Sequence, residues 1–359
     1  MRLPLREELR GIEPYGAPQL DVPVQLNVNE NPYGPSDRVV ADVAAAVADT
    51  TRTLNRYPDR EFTELREALA GYLGHGVRAD QVWAANGSNE VMLQLLQAFG
   101  GPGRTALSFA PTYSMYPEYA RDTNTAWTTG KREHDFGVDE ARAVALVKEV
   151  RPSVVLLPSP NNPTGTALPL ETAAALCQAA AGNEVPGVVV VDEAYAEFRR
   201  AGTPSALELL PDHPNLVVTR TMSKAFALAG GRVGYLAAGP EVCDAIRVVR
   251  LPYHLSAVTQ AVALAALRHA DELLARVDDL RLERDATVEW LRGLGLTVAD
   301  SDANFCLFGT FADRRQVWEG LVERGVLIRE TGPEGWLRVS IGTPEEMAAF
   351  RAALLEVIG

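Results

Sequence analysis

Between Gln81 and Leu236, short apolar runs rich in β-branched residues recur along the chain: QVWAA, TALSFA, SVVLLPS, GVVVVDE, NLVVTRT and RVGYLAA. Several are apolar at consecutive positions instead of alternating. That pattern marks strands covered on both faces, so an α/β fold with a mostly parallel sheet flanked by helices is expected. Helical spacing fills the intervals. EVMLQLLQAF sets Met92, Leu95, Leu96 and Phe99 on one face, and LETAAALCQAAAG is closed by Gly182. After Leu251-Pro252 the texture changes. Ser256 to Leu291 is rich in Ala, Leu, Arg and Glu at helical period; the runs NFCLF, GVLIR and WLRVS then precede a last helix, EEMAAFRAALLEVI. The expected organisation is an N-terminal arm over 1–35, a large α/β domain over 36–252 and a smaller α+β domain over 253–359.

Composition narrows the partners. With 359 residues and 47% apolar content, the chain can bury a sizeable core. A formal charge of -13 argues against a general nucleic-acid or acidic-membrane surface, so an anionic ligand would need a local arginine cluster. Five scattered histidines show no ligand spacing and no zinc pattern exists, so no metal is expected. Cys177, Cys243 and Cys306 are far apart in apolar segments, as buried free thiols of a reducing compartment would be. The start, MRLPLREELRG, lacks the apolar stretch of a signal peptide, and no run reaches membrane-spanning length; a cytoplasmic protein is expected. Of the Lys+Arg total of 34, only Lys131, Lys148 and Lys224 are lysine. A position that keeps lysine in such a chain can be one where an always-charged guanidinium cannot serve, because lysine can shed its proton and act as a nucleophile.

Residues that carry chemistry gather at predicted strand ends. GVVVVDEAY ends a buried strand on Asp192, at the edge where parallel sheets place ligands, with Tyr195 three residues on. An acidic strand end also occurs in P-loop nucleotide hydrolases, but G-x-x-x-x-G-K-[ST] is not met: at Lys131, position 125 is Thr and position 132 is Arg. AANGSNEVMLQLLQAF runs through Ser88 and Asn89 into a helix whose first N–H groups suit a phosphate. SPNNPTG, Ser159 to Gly165, contains an Asn-Pro turn that can aim Asn162 inward. TRTMSKAFALAGGRVG offers Thr221, Ser223 and Arg232 as phosphate donors beside Lys224. Singly, these read as a capping carboxylate, an N-cap, a surface turn and a polar loop. Together they form the inventory for pyridoxal phosphate: a lysine for the Schiff base, a carboxylate for the pyridine nitrogen, an amide and a phenol for O3′, and a phosphate pocket.

An ordered series of segments extends this picture: PYGAPQL, LNVNENPYGPS, NRYPD, ANGSNE, APTYSMY, SPNNPTG, VVDEAYAEF, TRTMSKAFALAGGRVGYL, LPYHLSAVTQ, DANFCLF and LRVSIGTPEE. Over nearly its full length the chain resembles the fold-type I aminotransferases and, within them, the histidinol-phosphate aminotransferase family. The resemblance implies that Lys224 forms the Schiff base and shuttles the proton between Cα and C4′, and that Asp192 pairs with the pyridinium nitrogen. It further implies that Asn162 and Tyr195 bind O3′, that Tyr113 stacks on the ring, and that Ser88, Asn89, Thr221, Ser223 and Arg232 surround the phosphate. Tyr57 would reach the cofactor phosphate of the neighbouring subunit in a homodimer. For substrate, Arg338 is implied for the α-carboxylate of glutamate and Arg329 for the phosphate of histidinol phosphate, with Tyr15 and Asn29 completing the pocket. One departure is Gly231, where the family pattern has leucine before the phosphate arginine; Arg232 keeps its register. The implied reaction interconverts L-histidinol phosphate plus 2-oxoglutarate with imidazole acetol phosphate plus L-glutamate, in histidine biosynthesis. An aromatic amino acid aminotransferase and, further off, a threonine-phosphate decarboxylase share the cofactor frame and stand as alternatives.

Overall fold

In the computed structural model, which describes residues 3–359, the apolar runs fold as strands. The strands are β1 (Val24–Gln25), β2 (Val82–Ala85), β3 (Thr105–Ala110), β4 (Ala126–Lys131), β5 (Val154–Pro158), β6 (Val188–Asp192), β7 (Leu216–Thr221), β8 (Gly234–Ala238), β9 (Thr297–Val298), β10 (Phe305–Gly309), β11 (Val326–Leu327) and β12 (Leu337–Ser340). β2 to β8 form one sheet in the order β2-β8-β7-β6-β5-β3-β4. β5, β6, β7 and β8 are buried at every position, as central strands covered on both faces are. Each fully buried valine of Val188–Val191 stabilises the sheet by about 1.5–3 kcal/mol relative to an exposed one.

Two features lay outside the apolar pattern. β4, sequence AWTTGK, is a half-exposed edge strand whose polar residues give no buried-strand signal. β8 runs antiparallel to both neighbours, β2 and β7, because the return from Thr221 to Gly234 holds no crossover helix of the kind parallel neighbours need. The sheet is therefore mostly parallel with one reversed strand.

Helices cover the faces. Ser88–Phe99 buries Met92, Leu95 and Leu96, with Phe99 packed at the rim, and Leu170–Ala181 buries Leu176, Cys177 and Ala180. Gly182 closes the latter in right-handed geometry, with no left-handed cap. A second core gathers around β10 and β12, which pair antiparallel, and includes Phe305, Phe308, Val339, Met347 and Phe350. β1 pairs with β11, so the N-terminal segment is stitched into this smaller unit. The helix Ala257–Arg268 buries Ala263 and Ala266 in the larger core, past the sequence boundary at 252/253, because it packs on helix Asp37–Thr51.

Candidate active site

β2, β3, β5, β6 and β7 run in one direction and β8 returns, so five strand ends and one strand start open on a single edge. Each strand end continues into a segment that the sequence singled out. β2 leads to Ser88 and Asn89, β3 to Tyr113, β5 to Asn162, β6 ends on Asp192 before Tyr195, β7 leads through Thr221 and Ser223 to Lys224, and Arg232 precedes β8. All of these residues line one cavity. Tyr57 does not join them; it is 80% exposed and stacks on Tyr253, with ring centroids 4.4 Å apart.

The phosphate end is shaped by glycine. Gly87, the N-cap of the helix Ser88–Phe99, provides no side-chain cap and has a φ of +89°. A Cβ there would lie 2.3 Å from Arg232 Nη2, and one on Gly234 would lie 2.0 Å from the Ser88 nitrogen. Only glycines let the open helix start, the guanidinium and β8 come together, which leaves backbone and side-chain donors for an anion. Arg232 also donates to Ser223 Oγ at 3.4 Å. A Cβ at Gly231 would make ordinary contact with Leu228, 3.5 Å from its Cβ.

Asp192 is buried, and burial pushes its carboxyl above the usual range. Opposing that, Tyr116 donates to Oδ2 at 2.9 Å and Thr219 to Oδ1 at 3.0 Å. Neither residue was singled out in the sequence. Tyr116 stands three residues after Tyr113 in PTYSMY, and Thr219 opens TRTMSK opposite Asp192 on the neighbouring strand, so spacing and register were the available signals. The Tyr113 ring lies partly buried, edge-on to Tyr116 at 5.4 Å. The Lys224 ammonium donates to the Val28 carbonyl at 2.9 Å. Desolvation, aided by the positive charge of Arg338, lowers its pKa to about 8. About one amine in ten is then neutral at pH 7, against about one in three thousand for a solvated lysine.

A second cavity adjoins the first and shares Tyr113, Asn162, Tyr195 and Lys224 with it. It is lined by Tyr15, Asn29, Arg329 and Arg338, the expected substrate residues, together with Asn27. Arg329 and Arg338 exchange backbone hydrogen bonds across β12, so both guanidiniums come from one bridge. Arg338 is buried without a carboxylate partner, and burial lowers its pKa to about 10. It donates to Asn162 Oδ1 and to the Asn27 carbonyl and lies over the Phe305 ring. Arg338 Nε and Arg329 Nη1 are buried with no protein acceptor. Both side chains line the cavity and neither has a carboxylate partner among the described residues, so an anionic ligand suits it. Asn29 lines this cavity but is only 2% exposed, and its amide is spent on Tyr195.

Residues 22–354 match the family model described as aminotransferase class I and II. The chain belongs to this aminotransferase family. Among its relatives, the histidinol-phosphate aminotransferase of Thermobifida fusca is 65% identical over 357 residues, 99% of this chain and 96% of that one. Histidinol-phosphate aminotransferase 3 of Burkholderia lata is 62% identical, covering 99% and 96%. The crystal structure of the Sinorhizobium meliloti histidinol-phosphate aminotransferase in complex with pyridoxal-5′-phosphate superposes with a TM-score of 0.84 at 27% identity, over 94% of this chain and 91% of that one. This aminotransferase thus shares the architecture of fold-type I enzymes. Among its described residues, no group of His, Cys, Asp or Glu could hold a metal, and no helix is long and apolar enough to cross a membrane.

Proposed function

We propose that the protein is a pyridoxal-phosphate-dependent transaminase that interconverts L-histidinol phosphate and 2-oxoglutarate with imidazole acetol phosphate and L-glutamate, in histidine biosynthesis. The observation that carries this reading is the 65% identity, over 99% of the chain, to the Thermobifida fusca histidinol-phosphate aminotransferase. The donor set of the first cavity fits the cofactor: a glycine-opened helix start with Ser88, Asn89, Ser223 and Arg232 for its phosphate, a carboxylate in Asp192, and one lysine. When bound, pyridoxal phosphate supplies an aldehyde for amine exchange and a ring that accepts the electrons of the substrate's Cα–H bond. Lys224 Nζ, neutral in a useful fraction, is the covalent anchor and the base that takes the Cα proton. Asp192 would supply the negative charge for the ring nitrogen, Asn162 and Tyr195 would supply polar hydrogens for O3′, and Tyr113 would pack against the ring.

Arg329 and Arg338, which both line the second cavity, support binding of substrates that are anionic at different places. One substrate is a phosphorylated amino alcohol without a carboxylate and the other is a dicarboxylic amino acid. In this reading Arg338 receives the glutamate α-carboxylate, Arg329 the phosphate, and Tyr15 closes the pocket through its hydrogen bond with Ser114. Arg329→Gln is expected to reduce kcat/KM for histidinol phosphate by roughly 10–100-fold, the value of one charge-assisted hydrogen bond. Steady-state rates with each amino donor check this.

The reading includes a homodimer that works in the cytoplasm. Support comes from Tyr57, which this chain's own cavity does not use, from the exposed Tyr253 stacked on it, and from three buried, unpaired cysteines. The lowered Lys224 pKa gives a pH prediction. Protonation blocks the amine, so cofactor loading of the empty protein is expected to speed up about tenfold per pH unit below 8 and to level off above it. Stopped-flow absorbance measures it; a rate still climbing through pH 10 would contradict it. The function itself is tested by supplying 2-oxoglutarate with histidinol phosphate, phenylalanine or tyrosine and measuring glutamate. Histidinol phosphate is expected to be the preferred donor, and glutamate formation from phenylalanine alone would favour the aromatic aminotransferase.

A further inference from the structure

Beneath Tyr195 lies a hydrogen-bonded chain whose donors and acceptors can be assigned one after another. The backbone nitrogen of Asn29 lies 2.9 Å from Ser340 Oγ. A backbone N–H can only donate, so Ser340 Oγ accepts there. Ser340 Oγ donates its own proton to Asn29 Oδ1, 2.8 Å away. With Oδ1 committed, the Asn29 amide nitrogen faces Tyr195 and donates to the phenol oxygen at 3.0 Å. A second chain reaches the same oxygen from the other side. A guanidinium also can only donate, so Arg338 fixes Asn162 Oδ1 as its acceptor, and Asn162 Nδ2 is left to donate to the Tyr195 oxygen at 3.3 Å. Two amide donors therefore meet one phenol.

We infer that Ser340 and Asn29 are positioning residues: together with Asn162 they fill the acceptor side of the Tyr195 oxygen and leave its proton free to point only into the cofactor cavity, as an obligate donor. This rests on the proposed cofactor reading and deepens it. The other features of the site agree. Tyr195 is 6% exposed and lines both cavities, so the cavity is the direction left for the proton. Asn29 is held in left-handed backbone geometry at φ 56°, a conformation that asparagine tolerates better than most residues. It is anchored a second time by Asn304, which donates to the Asn29 carbonyl at 3.1 Å. Ser340 is 3% exposed at the end of β12, two residues after Arg338. The strand that carries the substrate-binding arginine thus also sets the polarity of the phenol. Asn29, expected from the resemblance to complete the substrate pocket, acts here through Tyr195.

The consequence concerns an acidity that spectroscopy reads. A hydroxyl that must donate stabilises negative charge on the oxygen it faces, and so favours the deprotonated state of the lysine-bound cofactor. Asn29→Asp replaces the donor with an acceptor and turns the Tyr195 proton away from the cavity. In the loaded dimer without substrate, the pH midpoint of the visible absorbance change is expected to rise by about one unit. The kcat is expected to fall about tenfold with KM for histidinol phosphate within about twofold. Ser340→Ala releases the Asn29 amide and should give a smaller rise in the same direction, whereas Ser340→Thr keeps the hydroxyl and should restore the wild-type midpoint. An unshifted midpoint in both Asn29→Asp and Ser340→Ala overturns the inference, as does a rise in KM with kcat unchanged. Should Asn29→Asp fail to fold, the Ser340→Ala and Ser340→Thr pair decides alone. Failure of the functional reading looks different: the unmodified protein would then show no visible band on cofactor addition, and the inference would fall with it.

Discussion

Lys224→Ala is expected to abolish transamination and the visible band that cofactor loading produces, with the fold retained. In the proposed function Lys224 carries two tasks that no neighbour can assume. Its amine would be the covalent anchor and the base that moves the Cα proton; loss of the second task alone costs roughly 10²–10⁴-fold in rate. The remaining lysines cannot replace it, since Lys131 lies on the edge strand β4 and Lys148 on the helix Glu140–Val150, both exposed and outside the cavity. Arginine cannot replace it either, because the guanidinium stays protonated at every working pH. Lys224→Arg should therefore be as inactive as Lys224→Ala. Fold retention follows from the contacts: the Lys224 amine donates to a single carbonyl, that of Val28, and carries a charge that burial disfavours. A band that survives in Lys224→Ala would mean that another amine holds the cofactor.

Asp192→Asn is expected to lower kcat by roughly 10²–10³-fold, about 3–4 kcal/mol, the scale of losing one preorganised electrostatic partner of the reacting system. The amide keeps the shape but not the charge that, in the proposed function, would hold a proton on the ring nitrogen. Stability should move the other way. Burial raises the Asp192 carboxyl, so the folded protein binds a proton there more tightly than the unfolded chain does, and the ionised form costs folding energy at neutral pH. Removing that charge is expected to leave the melting temperature of the cofactor-free protein unchanged or raised, although Tyr116 and Thr219 lose a charged acceptor. A large fall in both activity and melting temperature would instead identify Asp192 as a structural residue.

The parts of this site legible in the sequence were those written in local pattern. Runs such as VVVV announce strands covered on both faces, and a strand end followed by polar residues announces the functional edge, so Ser88, Asn162, Asp192 and Lys224 could be placed together before any contact was known. Features decided by tertiary pairing were not legible. The polar strand β4 and the two-residue strands β1 and β9 owe their form to neighbours rather than to periodicity. The reversal of β8 brings Arg232 to the edge, and no apolar pattern encodes strand direction. Asn29 shows the limit most plainly. Its place beside the cavity followed from the family resemblance, but the role inferred for it depends on Ser340, 311 positions away, and on which atom of each pair can accept.

Amino transfer from histidinol phosphate through the Lys224 site is read out by the half-reaction. The cofactor-loaded protein is mixed with histidinol phosphate in the absence of 2-oxoglutarate, and absorbance is followed alongside assays for keto product and carbon dioxide. The account predicts loss of the visible band, one equivalent of imidazole acetol phosphate per site, no carbon dioxide, and recovery of the band on adding 2-oxoglutarate. A band unchanged by histidinol phosphate but lost with phenylalanine, or carbon dioxide released in place of the keto product, would contradict it.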